Sequence, residues 1–98
     1  DVLFEFLEIL PVLKPGVRVH IHDIFTPRDY PSEWIVDKHC MWNEQYLLEA
    51  FLSFNKEFRV LGAVHFLKHN YRKELEAKCP NTAKMPDDEP GSFWLIRN

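Results

Sequence analysis

The sequence predicts a layered α/β fold in which helices pack on a sheet. Three observations predict it: apolar residues at helical spacing over residues 2–13, alternating apolar and polar residues over residues 17–25, and a second alternating run over residues 58–66. The elements follow one another as helix, strand, helix, strand, short helix and strand, an order typical of this class. The 98 residues are enough for one domain.

The first predicted element is an amphipathic helix over residues 2–13, with Glu5 and Glu8 on the face opposite its apolar residues. Lys14-Pro15-Gly16 then places proline and glycine at the central positions of a type II turn. The turn leads into a strand over residues 17–25, whose sequence is "VRVHIHDIF". One face of this strand carries Val17, Val19 and Ile21, and the other carries Arg18, His20 and His22.

The middle of the chain predicts a long loop, a helix and a second strand. Residues 26–42 contain two prolines, mixed charge and no sustained period, so we expect an ordered loop, and loops of this length are often functional. Asn43 suits the N-cap of a helix that stops near Asn55. The second strand covers residues 58–66, where Gly62 indicates a bulge or close packing.

The last third of the chain predicts a short helix, a loop and a final strand. Residues 68–78 are polar apart from the anchors Tyr71 and Leu75, which indicates a short surface helix. Residues 79–91 are rich in proline and aspartate and predict a loop. The apolar stretch over residues 92–97 predicts the last strand.

Charge and composition argue against several classes of function. The net charge is -3 and the twelve lysines and arginines are scattered, so no basic stripe is available for nucleic acid. Cys40 and Cys79 lack CxxC spacing, which favours a reduced, intracellular setting. No apolar run approaches the roughly 20 residues needed to span a bilayer, and no signal peptide is evident. We therefore expect a cytoplasmic protein without a membrane partner.

His22 and Asp23 are the first candidates for a functional site. They stand where the predicted strand leaves the sheet, and ligands of open α/β sheets bind outside the carboxyl ends of strands. A carboxylate there can orient an imidazole, hold a substrate hydroxyl or give one ligand to a hard cation. Aspartate is also common at strand ends, so a purely structural role is the alternative.

The other histidines give weaker signals. His20 and His22 have the HxH spacing of a zinc pair, but we expect them to be two half-buried polar residues of a covered strand. His65 and His69 are four residues apart, but the predicted strand and helix put them on different elements, which favours surface or capping roles. His39-Cys40 is a pair by adjacency alone, which does not make a catalytic dyad. No metal ligand is therefore assigned, and no glycine-rich phosphate loop is present.

Three stretches of the chain together resemble a known family. They are "LEILPVLKPGVRVHIHDIFTPRDYP", "WNEQYLLEAFLSFN" and "GSFWLIRN", in that order. They resemble the carboxy-terminal half of a class I S-adenosylmethionine-dependent methyltransferase of the small-molecule or sugar-directed subgroup. The chain also opens on a helix without an initiator methionine, so we expect residues 1–98 to be a single partial domain whose amino-terminal half is missing.

The resemblance implies a partial Rossmann-like sheet, made of strands five to seven with flanking helices. Residues 17–25, 58–66 and 92–97 would be these strands in chain order, with the last strand between the other two and antiparallel to both. The family holds its cofactor with a glycine-rich turn after strand one and an acid ending strand two, which this chain lacks. S-adenosylmethionine is therefore implied for the whole protein, with no cofactor-binding residue in this chain and no cofactor bound by it alone.

The resemblance also implies roles for four residues. His22 and Asp23 would be catalytic, and Asp29 and Tyr30 would lie on the side of a small-molecule acceptor. The chain alone would be inactive, and its uncovered edge over residues 17–25 would lead to a homo-oligomer. The alternative function is a non-catalytic α/β interaction module that pairs through an exposed sheet edge.

Overall fold

A three-stranded antiparallel sheet organises the fold, and the last strand along the chain is the central one. In the computed structural model, which describes residues 1–98, β1 is Arg18–Ile21, β2 is Phe58–Ala63 and β3 is Phe93–Arg97. β3 lies between β1 and β2 and pairs antiparallel with both. The predicted α/β class and the predicted strand order are confirmed.

Helices and shorter helical turns connect the strands. The α-helices are α1 (Val2–Phe4), α2 (Glu44–Leu52), α3 (Val64–Asn70) and α4 (Arg72–Lys78). The π-helical turns are Glu5–Ile9 and Glu33–Asp37, and the 3₁₀ turns are Leu10–Val12 and Pro80–Lys84. Two of these turns lie within residues 26–42 and 79–91, which were predicted as loops. None of the helices combines the length and the apolar character that crossing a bilayer requires.

The predicted amino-terminal helix is found as one continuous helical segment over residues 2–12. Its winding widens to a π turn and then tightens to a 3₁₀ turn at Pro11, which cannot donate the backbone hydrogen bond of an α-helix. The predicted type II turn follows. Gly16 has a φ of 86°, and the amide of Val17 donates to the carbonyl of Lys14 at 3.2 Å.

β1 is shorter than the strand predicted over residues 17–25, and the reason lies at Asp23. This residue has a φ of 59°, a left-handed conformation that interrupts extended backbone. The amide of Ile24 then donates to the carbonyl of Gly91 at 2.9 Å. Ile24 and Phe25 turn into the interior, where each is 1% exposed. The prediction that both lie on an uncovered strand edge is therefore wrong.

The second strand also ends earlier than predicted, because a helix begins within residues 58–66. Of the bulge and the close packing predicted at Gly62, the structure favours the bulge, because the pairing register shifts between Val60 and Gly62 and nothing lies within 4 Å of an added β-carbon. β2 ends at Ala63, and α3 begins at Val64. The last three residues of the predicted strand are therefore helical.

Two helices replace the single helix predicted over residues 68–78. α3 and α4 meet at Tyr71, which is the C-cap of the first and the N-cap of the second. α2 begins after Asn43 as predicted, although the Asn43 side chain makes no capping hydrogen bond, and it ends at Leu52, before the predicted Asn55.

The core lies between the sheet, the amino-terminal helical segment and α2. Leu95 at the middle of β3 is fully buried, and Ile24 joins it from the turn after β1. The seven buried members of this cluster are Phe6, Leu10, Ile24, Leu48, Phe58, Phe93 and Leu95. The core therefore holds the end of β1 against α2, and the predicted site residues lie around that junction.

Candidate functional site

His22 and Asp23 form a hydrogen-bonded pair immediately after β1. Nδ1 of His22 lies 3.0 Å from Oδ2 of Asp23, and the two side chains are 79% and 38% exposed. The left-handed backbone of Asp23 is one that aspartate adopts more readily than most residues. A β-carbon at Gly91 would lie 2.8 Å from the Cα of Asp23, so the turn packs directly on the backbone of Gly91. The imidazole and the carboxylate are thus presented to solvent on a tightly packed turn.

His20 contacts β3 and the residue that precedes it. It lies opposite Trp94 in the β1 and β3 register, with the two rings 4.5 Å apart, and its Nε2 is 3.2 Å from the hydroxyl of Ser92. His20 is a strand residue as predicted. The expectation that His20 and His22 are half-buried is wrong, because both are exposed.

Asp29 and Tyr30 are bound to the start of α2. Tyr30 is buried, and its hydroxyl accepts a hydrogen bond from the amide of Gln45 at 3.1 Å. The carboxylate of Asp29 is exposed and accepts from the hydroxyl of Tyr46 at 2.7 Å. Burial raises the pKa of Tyr30, and the hydrogen bond to Asp29 raises the pKa of Tyr46. Of the two predicted acceptor-side residues, only Asp29 is accessible to a ligand.

Gln45 is the residue that fixes this loop, and sequence reasoning missed it. Its side chain is completely buried; Oε1 accepts from the amide of Phe25 at 3.0 Å, and Nε2 donates to the carbonyl of Arg28 at 2.9 Å. The sequence feature that could have identified Gln45 as buried is its position three residues before Leu48, on the buried face of α2. A polar residue on an apolar helix face indicates that it pairs with buried backbone.

Two separate cavities adjoin the predicted residues. His22 lines a cavity of about 140 Å³ beside the amino-terminal helical segment. Asp29 lines another, of about 270 Å³, together with Arg28, His65 and Glu89. Neither cavity includes both His22 and Asp29, so the structure does not gather the predicted residues into one pocket.

His65, His69 and Glu89 form a cluster that sequence reasoning also missed. Both histidines lie on α3, four residues apart and therefore on one helical face. Nδ1 of His65 and Nε2 of His69 lie 3.2 Å and 2.8 Å from the same carboxylate oxygen of Glu89. The assignment of the two histidines to different elements was wrong because the strand was predicted to run through residue 66. The i, i+4 spacing of the two histidines was the sequence feature that could have indicated a shared helical face.

Comparison of the chain with protein-family models, curated proteins and solved structures finds no match in any of the three. The methyltransferase resemblance therefore stays a prediction. The case for a function rests on the residues and the geometry described above.

Proposed function

We propose that this chain is the acceptor-side half of an S-adenosylmethionine-dependent methyltransferase that acts on a small molecule or a sugar. The observation that supports this most is the strand order. β3 lies antiparallel between β1 and β2, as strand seven lies between strands five and six in the family that the sequence resembles. The proposal takes the three strands as that part of a Rossmann-like sheet.

His22 and Asp23 supply the acid-base chemistry in this proposal. Transfer of a methyl group to an oxygen requires the acceptor hydroxyl to be aligned and to lose its proton as the new bond forms. Because Nδ1 of His22 faces Asp23 at 3.0 Å, the neutral imidazole donates there and keeps Nε2 as the proton acceptor. The exposed imidazole leaves room for an acceptor molecule beside it.

Cofactor binding is not assigned to this chain. The glycine-rich turn and the acid that hold the cofactor in the resembled family have no counterpart among its residues. S-adenosylmethionine, held by the other half of the enzyme, supplies the methyl group. The proposed role of these residues is to orient the acceptor and to take its proton.

The test is Asp23→Asn in the whole enzyme. Asparagine also tolerates the left-handed backbone, so folding is retained while the histidine loses its negatively charged partner. We expect turnover to fall at least about 10-fold with little change in melting temperature, since general base catalysis contributes about 10²- to 10⁴-fold. Asp37→Asn, at another exposed aspartate, is the matched control. Lower melting temperature with unchanged turnover would contradict the proposal.

The encoding gene gives a second test. The methyltransferase proposal requires an upstream reading frame that encodes a strand followed by a glycine-rich turn. A frame that begins within a few residues of Asp1 excludes the methyltransferase.

The chain by itself should not bind S-adenosylmethionine in calorimetry, and micromolar binding would contradict the assignment to this half.

The second candidate is an interaction module that pairs through the edge of its sheet. β1 pairs only with β3, so its outer edge is free, and the adjoining helical segment exposes Leu3, Phe4 and Leu7. The partner we propose is a second copy of the chain, giving a homo-oligomer. We further propose a cytoplasmic location, which the two free cysteines support.

A further inference from the structure

The geometry points to a binding site for one divalent transition-metal ion, with zinc the best match, formed by His65, His69 and Glu89. This site is distinct from the His22 and Asp23 pair. It does not depend on the methyltransferase proposal.

The donor atoms converge at distances close to those of a metal site. Nδ1 of His65, Nε2 of His69 and a carboxylate oxygen of Glu89 all lie within 4.8 Å of one another. Ligand atoms of a tetrahedral zinc site, each about 2.0–2.2 Å from the ion, are roughly 3.3–3.6 Å apart. The two nitrogens lie 3.2 Å and 2.8 Å from one oxygen of Glu89, so a metal ion requires only side-chain rotations that bring the widest donor separation, at most 4.8 Å, to that of a zinc site.

Ion pairing alone does not account for the cluster. Nδ1 of His65 is buried and lies 3.2 Å from Glu89 without the geometry of a hydrogen bond, and its other polar neighbour is the backbone of Pro90, which it also does not meet in good hydrogen-bond geometry. The His65 side chain is only 6% exposed. Buried polar atoms are nearly always paired. A metal ion would supply the missing partner for this nitrogen.

The donor set and its surroundings select the kind of ion. Two imidazoles and one carboxylate favour zinc and its transition-metal neighbours over magnesium and calcium, which prefer oxygen ligands. Three protein ligands leave a fourth tetrahedral position open, as in catalytic zinc sites. His65 and Glu89 line the cavity of about 270 Å³ that also contains Arg28 and Asp29, and the open position takes water from that cavity.

Zinc titration against a chromophoric chelator tests the proposal on the chain itself. We expect one zinc ion per chain, and cobalt in its place should give the visible absorption of a tetrahedral site. His69→Gln and Glu89→Gln should each weaken zinc binding by more than about 100-fold, because loss of mere outer-shell partners already costs about 10- to 100-fold. These two residues are chosen because His65 is buried and its replacement risks misfolding.

Two further variants separate the site from adventitious binding. His39→Asn removes an exposed histidine at a left-handed position that asparagine tolerates, and Asp87→Asn removes an exposed carboxylate near Glu89 in sequence. Both should bind zinc as the unmodified chain does. Absence of zinc binding, or equal binding by all four variants, would overturn the proposal.

Thermal unfolding gives an independent readout. Zinc should raise the melting temperature of the unmodified chain and of both control variants, because an ion that binds only the folded state stabilises it. It should leave Glu89→Gln unchanged. A zinc-induced increase of the same size in Glu89→Gln would show that the ion binds elsewhere.

Discussion

The buried side-chain amide of Gln45 joins the loop after β1 to α2 through two hydrogen bonds. Replacing it by leucine keeps the volume but leaves the amide of Phe25 and the carbonyl of Arg28 without partners. Each buried group left unpaired costs about 1–3 kcal/mol, so we expect the two together to lower the free energy of unfolding of Gln45→Leu by about 2–6 kcal/mol. Urea denaturation measures the loss.

The control for Gln45 is its neighbour Tyr46, whose hydrogen bond to Asp29 lies at the surface. Tyr46→Phe should cost about 1 kcal/mol or less, because water replaces the lost partner. If the two variants lost equal stability, the buried amide would have no special role in fixing the loop.

The same tyrosine makes a prediction about pH. The hydrogen bond to the Asp29 carboxylate raises the pKa of Tyr46 above its ordinary value of 10.0. The neutral phenol is therefore favoured by folding, and this stabilisation is complete below about pH 10 and is lost as pH rises through the raised pKa. Asp29→Asn should move the titration of one tyrosine to lower pH in ultraviolet absorbance. Asp88→Asn is the control, and an identical titration in both variants would contradict the contact.

At the scale of elements, the order of helices and strands could be predicted from periodicity, while the ends of β1 and β2 could not. The alternation of residues 17–25 continues past Asp23, but the left-handed backbone there depends on contact with Gly91, far along the chain. Val64 and Phe66, which follow Ala63, are β-branched and aromatic, so their local preference resembles a strand. The ends of β1 and β2 therefore depend on tertiary contacts rather than on local sequence.

The candidate site, like the fold, could be predicted only in part. The pairing of His22 with Asp23 follows from adjacency at a strand end, and the structure contains it. The approach of Glu89 to α3 brings together residues 20 positions apart in sequence, through a loop without periodicity. Contacts of that kind depend on the path of the loop, which no local pattern specifies.

The packing of the turn after β1 on the loop before β3 can be tested at two glycines. A β-carbon at Gly91 would lie 2.8 Å from the Cα and 2.9 Å from the nitrogen of Asp23, and backbone atoms cannot move aside. Gly91→Ala should therefore destabilise the fold by about 1–3 kcal/mol in urea denaturation. Gly62→Ala is the control, because nothing lies within 4 Å of the added carbon. Equal stability of the two variants would contradict the close packing.

At the scale of the whole molecule, the outer edge of β1 and the apolar residues beside it predict self-association. Phe4 and Leu7 are exposed, and the helical segment that carries them lies beside β1 across a cavity lined by both. We expect light scattering at micromolar concentration to give a mass above the 11.7 kDa of one chain. Leu7→Lys should shift the mass toward the monomer, whereas Leu61→Lys, on β2, should not. A monomer in every case would contradict the proposed homo-oligomer.

The central position of β3 also determines when the sheet can form during synthesis. β1 and β2 do not pair with each other, so both must wait for the strand that emerges from the ribosome last of the three. Pairing Arg18 with Ile96 closes a long loop, and its entropy must be lost before any contact is gained. From the synthesis of β2 until β3 emerges, the nascent chain therefore carries both strands without their shared partner, and a chaperone that shields such strands would raise the yield of folded protein.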